Sequence, residues 1–341
     1  MPITLRPYSA NTFALSKVWF KCNSVNLRLC DINTINSQVK SWLYQDCYEK
    51  PSETILYRDS KDGGLGLFNV KIRAQALLIR SFLETALNPN FRHSLFHEIL
   101  FLYHVMGEIS IPNPGYTQYY DQTFFSTIQH YQENSTLNIA LMTTRQWYKV
   151  MMEEKILMSQ DDDSQPPVLT PVRVESLHPH SNWGETWRLT RIQGLGSDLT
   201  GFIFKLVHCL LPTQDRVSRL GGTDVVCNFC EELETPLHAF FECQHSMLSG
   251  LALLGYVQVL VPDLSPEAAL RLELGIQLEE KEELAIMCIL ASGMKYIWET
   301  RVEKKQVQTF KMRSEVEARV LILRKTRHKE AGNIVLEMMN L

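Results

Sequence analysis

Apolar residues recur at helical spacing through most of this chain. Val70–Leu87 places Ala74, Leu77, Leu78 and Phe82 on one side and predicts a helix. Ser37–Tyr48, with Trp42 central, predicts another, as do Phe91–Met106 and Tyr120–Gln132, parted by the break Pro112-Asn-Pro-Gly-Tyr116. Ile139–Leu157 turns Trp147, Val150 and Met151 inward. Asp59-Ser-Lys-Asp-Gly-Gly-Leu-Gly-Leu67 reads as a turn that needs positive φ. Leu199–Leu211 is apolar enough for a buried helix or strand. It ends at Leu211-Pro-Thr213, where Thr213 is placed to cap a short helix over Gln214–Leu220. From about Ser246 the pattern is helical again, with loops at Val261-Pro-Asp263 and Leu264-Ser-Pro266. Glu282–Ile297 is periodic, and Glu299–Arg327 is expected to continue it.

Composition divides this pattern. Ser159-Gln-Asp-Asp-Asp-Ser-Gln-Pro-Pro167 is polar, acidic and proline-ended, the best linker in the chain. The reading is mainly α: a helical segment over 1–158, a linker over 159–180, a zinc-binding domain over 181–250 and a helical basic tail over 251–341. The 341 residues suit more than one domain at roughly 100–200 residues each. No internal repeat is seen.

The 34 basic and 38 acidic side chains leave a net charge of −4, which excludes a globally basic nucleic-acid binder but allows a local basic face. No run reaches the ~18 apolar residues of a membrane span, and the N-terminus lacks the apolar core of a signal peptide. An intracellular chain, nuclear or cytoplasmic and without membrane association, is expected. Its eight cysteines are then reduced thiols rather than a disulfide framework.

Three of those cysteines fall within 17 residues. Cys227-Asn-Phe-Cys230 is followed after seven residues by His238 and after four more by Cys243. A CxxC turn points two thiolates to one side, and a downstream His and Cys complete a tetrahedron of three sulfurs and one nitrogen. Four protein ligands close the shell, so zinc here is structural rather than catalytic. Phe229, Leu237, Phe240 and Phe241 supply a small apolar cluster, and zinc would contribute part of the folding free energy. His245 is an alternative nitrogen ligand, whereas His208 and Cys209 read as core residues.

Phe202-Ile-Phe-Lys-Leu-Val-His-Cys-Leu-Leu-Pro-Thr-Gln-Asp-Arg216, then the CxxC, Glu234-Thr-Pro-Leu-His238 and Phe240-Phe-Glu-Cys243, resembles the C-terminal zinc-binding region of non-LTR (LINE-type) retrotransposon reverse transcriptases. Asp62-Gly-Gly-Leu-Gly-Leu67 with its following helix is similar to the segment after the polymerase thumb, and Trp298 and Arg301 fit the tails of that family. The zinc-region match covers about residues 183–245. The resemblance implies RNA or DNA binding that assists target-primed reverse transcription, beside the polymerase part of a parent polyprotein. The polymerase Tyr/Phe-x-Asp-Asp signature is absent, and Asp161-Asp162-Asp163 reads as solvated linker, so no catalysis is expected of this chain alone.

Lys295–Lys329 holds eleven Lys/Arg against four Glu, a formal +7. Phosphate contact is expected from Arg216, Arg219, Lys304, Lys305, Arg324, Lys325, Arg327 and Lys329, with Trp298 and Phe310 as candidate stacking rings. Two alternatives share the chain. One is a zinc-stabilised protein-interaction module without nucleic-acid binding. The other is a restriction-like nuclease built on Asp263 and Glu279-Glu-Lys281, although that Glu-x-Lys reads as an acidic helix start rather than a core strand. Gly63-Gly-Leu-Gly66 lacks the Gly-Lys-Ser/Thr of a phosphate-binding loop.

Overall fold

A computed structural model describes residues 4–23, 27–45, 50–87, 95–105, 107, 122–134, 138–158, 175, 178–219 and 226–340. The expected break at 112–116 and most of the expected linker over 159–180 lie outside them. The fold is mainly α, and among the described residues the single β feature is an antiparallel bridge between Val226 and Leu233.

Helix α1 (Arg6–Ser9) passes through a π-turn at Ala10–Ala14 into α2 (Leu15–Cys22). Helices α3 (Leu29–Leu43) and α4 (Glu53–Tyr57) follow. The next helix, α5 (Val70–Leu87), has the bounds its periodicity predicts, with Asn69 Oδ1 accepting from Ile72 N–H at its start. Around α5 pack α2, α3, α6 (Leu95–His104), α7 (Gln122–Asn134) and α8 (Thr144–Met158). Trp147 of α8 is fully buried. Helix α3 begins eight residues before the expected start and leaves Trp42 at its exposed end.

The second half begins with α9 (Trp183–Leu189), capped by Asn182, and α10 (Ser197–Val207), which settles the ambiguous apolar run as a helix. Short α11 (Gln214–Arg219), α12 (Met247–Gln258) and α13 (Pro266–Arg271) lead to α14 (Glu280–Val302). Helix α14 opens with a reciprocal capping box between Glu279 and Glu282 and is buried on nearly every face from Leu284 to Met294. A helix apolar all round belongs in the centre of a bundle. Helices α10, α12, α15 (Thr309–Arg324) and α16 (Lys329–Asn340) pack on it. Helix α12 runs across residue 250, so it joins the cysteine-bearing segment to the helices that follow.

The expected continuous helix over Glu299–Arg327 is broken. Lys304 sits at φ +55°, its N–H bonds to Arg301 O at 2.9 Å, and Lys305 N–H bonds to Thr300 O at 3.0 Å. That is a Schellman closure with lysine where glycine is usual, which is why no glycine marks the end in the sequence. Thr213 precedes the helix that starts at Gln214, as expected, and its carbonyl accepts from Val217 N–H at 2.9 Å. Its hydroxyl donates to Asp215 Oδ1 at 2.6 Å.

One apolar core spans both halves. The glycine turn makes the join. Leu65 and Leu67 N–H return to Ile55 and Leu56 carbonyls at 2.7 and 3.0 Å, folding the loop onto α4. Gly63, at φ +82°, lies so close to Trp187 that a Cβ would stand 2.5 Å from its ring. His208 Nε2 reaches Gly63 O at 2.7 Å and its ring stacks on Trp187 at 4.7 Å. Glu175 ties the same region together, accepting from Arg58 at 2.8 Å and from Trp187 Nε1 at 2.9 Å.

Candidate metal centre

Cys227, Cys230, His238 and Cys243 converge so that their ligand atoms all lie within 4.8 Å of one another. Local chain geometry accounts for this. Cys227 N–H donates to Glu232 O at 2.7 Å and Glu231 N–H to Cys227 O at 3.1 Å. The Val226–Leu233 bridge closes that loop into a tight hairpin with Glu231 at φ +63°. Phe229 N–H points at Cys227 Sγ, 3.4 Å away.

The other two ligands come from one turn. Thr235 Oγ1 accepts from His238 N–H at 3.1 Å, with Pro236 as the first residue inside. The chain then forms a π-turn over His238–Glu242, closed by Cys243 N–H to His238 O at 2.8 Å. Residues five apart on an α-helix point about 140° away from each other. The i→i+5 bond of a π-turn brings them to the same side, which gives the four-residue gap between His238 and Cys243 its meaning. Gly250 of α12 allows the close packing beneath, since a Cβ there would stand 2.1 Å from Phe240 O.

The spacing fits one ion. With metal–sulfur bonds of about 2.3 Å, a tetrahedron has sulfur–sulfur edges of about 3.8 Å. Cys227–Cys243 and Cys230–Cys243 are each 3.8 Å apart. Cys230 Sγ to His238 Nε2 is 3.1 Å, a few tenths short of the ~3.6 Å edge expected for sulfur and nitrogen. A disulfide would need about 2.05 Å, so these are free thiols, close enough together to hold one ion. His245 is outside the four, with its ring on Phe229 at 4.8 Å between centres.

An unforeseen residue completes the surroundings. Arg301 of α14 is buried to 3% side-chain exposure. Its Nη2 donates to Cys227 Sγ at 3.2 Å and to Glu234 Oε1 at 2.6 Å, and its guanidinium lies 4.9 Å from the Phe229 ring centre. Glu234 Oε2 accepts from Gln214 N–H at 3.0 Å, at the start of α11. This network sets the thiols apart. Burial alone would raise Cys227, but Phe229 N–H and Arg301 outweigh it and hold the thiol below its ordinary value. Cys243 is likewise lowered against burial by His245 N–H and Arg301. Cys230 is pushed up to about 11 by burial and by the two neighbouring sulfurs. Of the three thiols, Cys230 therefore holds its proton most firmly, and metal binding would have to displace it.

The basic tail is dispersed. Arg301, counted with it in the sequence, belongs to the metal centre. Lys295 pairs with Glu299, Arg313 with Glu317 and Arg319 with Asp198. Lys304 and Lys305 are exposed in the turn one helical turn past Arg301, with Lys305 also bonded to Glu303 at 2.6 Å. Arg324, Lys325, Arg327 and Lys329 are exposed in the α15–α16 turn, where Arg327 bonds to Gln193. Helix α15, with 16 residues and thus about 24 Å long, separates the two groups. The side chains of Arg216 and Arg219 lie outside the described residues. Trp298 is half-buried beside Phe240, whereas Phe310 is exposed.

The nuclease residues do not converge on a strand. Asp263 lies exposed in a loop. Glu279 caps α14, and Lys281 pairs with Glu279 and Glu330 at its surface. Among the described residues no helix is long and apolar enough to cross a membrane. No protein-family model matches this chain, and none of the curated proteins matches it significantly.

Proposed function

We propose that the chain is a zinc-stapled helical module that binds RNA or DNA, and that it serves as the C-terminal part of a LINE-type reverse transcriptase. Three thiolates and one imidazole in a closed tetrahedral set suit zinc over harder cations. Bound there, zinc would cross-link the CxxC hairpin to the π-turn and carry no reaction of its own. The observation that carries the functional reading is the path from this centre to the surface. Arg301 bonds to Cys227, and three residues later the chain presents Lys304 and Lys305 in a fixed turn. A metal-anchored cationic turn is suited to phosphate, and Arg324, Lys325, Arg327 and Lys329 offer a second contact about one helix length away.

Two measurements on the purified chain test the reading. Metal analysis should find about one zinc per chain, lost in Cys230→Ser and in His238→Ala. Binding to a duplex oligonucleotide should weaken with salt, with a log–log slope near −5.4 for about six phosphate contacts. Lys304→Glu with Lys305→Glu should flatten that slope. Flat binding in the wild type removes the nucleic-acid reading. Exposed Phe310, Leu321 and Ile322 on α15 favour the second reading, a zinc-stabilised protein-interaction module. Salt-indifferent partner binding lost on Leu321→Asp would establish it.

A further inference from the structure

Helix α3 and the α1–π-turn–α2 segment enclose a groove of about 470 Å³. Its walls are hydrocarbon, with Ala10, Ala14 and Val18 on one side and Ile35, Val39 and Trp42 on the other. Both α2 and α3 also pack on α5, which holds the walls in place. The π-turn puts two alanines along the groove and Phe13 at its lip, 71% exposed. Phe20 of α2 is 81% exposed but does not line the groove. Isolated exposed apolar residues are ordinary, but rings bordering an apolar concavity mark a binding surface.

Among the described residues of the helices that wall the groove, the exposed charges left without an ion pair are basic. From Thr4 to Gln45 the chain carries five Lys/Arg and one acid, Asp31. Asp31 is taken by Arg28 at 2.9 Å, and Lys40 pairs with Glu53. Lys17 and Lys21 are exposed at i, i+4 on the flank of α2, and neither pairs with a carboxylate among the described residues. The groove is thus largely apolar, and α2, which supplies one wall through Val18, carries two exposed lysines one and three residues from Val18 with no ion pair among the described residues.

We propose that this groove docks an amphipathic helix with an acidic flank, supplied by another protein. The apolar stripe of such a helix, anchored at i, i+4 and i+7, fills a channel between two helices, and its carboxylates meet Lys17 and Lys21. The part of α3 that lines the groove, Ile35 to Trp42, is about 10 Å long and can seat about two turns of a partner. A bilayer surface calls for a convex apolar face. Nucleobases need polar edges to read, and Ser9 and Gln38 are the polar residues lining these walls. This surface is separate from the metal centre, so the inference stands apart from the function proposed above.

The test uses the full chain and a labelled 18-residue peptide, with Leu at i, i+4, i+7 and i+11, Glu on both flanks and Ala elsewhere. An analogue with Lys in place of Glu is the control. Fluorescence anisotropy should show the Glu peptide binding at least about tenfold tighter. Lys17→Glu with Lys21→Glu should reverse that order, and Phe13→Asp should abolish both. These positions are exposed, and unchanged circular dichroism and metal content would confirm folding. Equal affinity for the two peptides, no binding, or insensitivity to Phe13→Asp overturns the proposal. So does a wild-type dimer in sedimentation that Phe13→Asp dissolves, because the groove would then hold a second copy. Phosphatidylserine-vesicle or oligonucleotide binding lost in Phe13→Asp, with peptide binding kept, also overturns it.

Discussion

Replacing Arg301 with alanine removes the one cation that, among the described residues, bonds a thiol of the metal centre. Breaking a buried ion pair by deleting one partner costs about 3–5 kcal/mol, because the other charge stays buried. Here the abandoned group is Glu234, also buried, but its Oε2 keeps the Gln214 N–H at 3.0 Å. That places the expected loss near the lower limit, about 3 kcal/mol. The same change removes the donor to Cys227 Sγ, and loss of an outer-sphere partner typically lowers metal affinity about 10–100-fold. Urea unfolding of the zinc-loaded chain measures the first quantity, and competition against a chromogenic chelator measures the second. Arg301→Lys should recover part of the stability. It keeps a charge but lacks the planar guanidinium that lies over the Phe229 ring while bonding Glu234 and Cys227. Arg301→Ala combined with Glu234→Ala should cost less than the sum of the single changes, with a coupling of at least about 1 kcal/mol. If Arg301→Ala unfolds within about 0.5 kcal/mol of wild type and holds zinc equally well, the centre does not depend on α14 and the reasoning fails.

Other outcomes follow from the same structure. Burial pushes His208 down to about 4, with its Nδ1 buried and without a partner. Its unfolded value is near 6.5, so the folded state binds fewer protons between the two. Stability should be full above about pH 6.5 and fall by up to about 3 kcal/mol as pH drops towards 4. Urea titrations across that range should show the loss. His208→Gln, which keeps a donor for Gly63 O without titrating, should flatten it, and an unchanged slope would reject the assignment. Gly63→Ala places a Cβ at φ +82° against Trp187 and should cost about 2–4 kcal/mol, read as a lowered Tm. Gly250→Ala meets the Phe240 carbonyl and should cost about 1–3 kcal/mol while loosening metal retention during dialysis.

What the sequence determined alone is what short stretches of chain decide. The four ligands lie within 17 residues, and a hairpin and one π-turn bring them together, so their spacing was legible. Helix α5 has its predicted bounds because a half-buried helix writes its period into its own residues. The glycine turn announced its positive φ, found at Gly63 and Gly66, because only glycine adopts it without penalty. Tertiary structure alone decided the rest. Arg301 lies 74 residues from Cys227, and in sequence it is one more cation in a basic tail. Its burial depends on α14 crossing the cysteine hairpin, a long-range packing event that leaves no period behind. The end of α14 was hidden because lysine, not glycine, takes the left-handed position at residue 304. His208 became a join between the halves, and Trp42 a groove wall, for the same reason. Local propensity sets where helices form, but which faces meet, and which charges are thereby buried or left in water, is set by packing between segments distant in the chain.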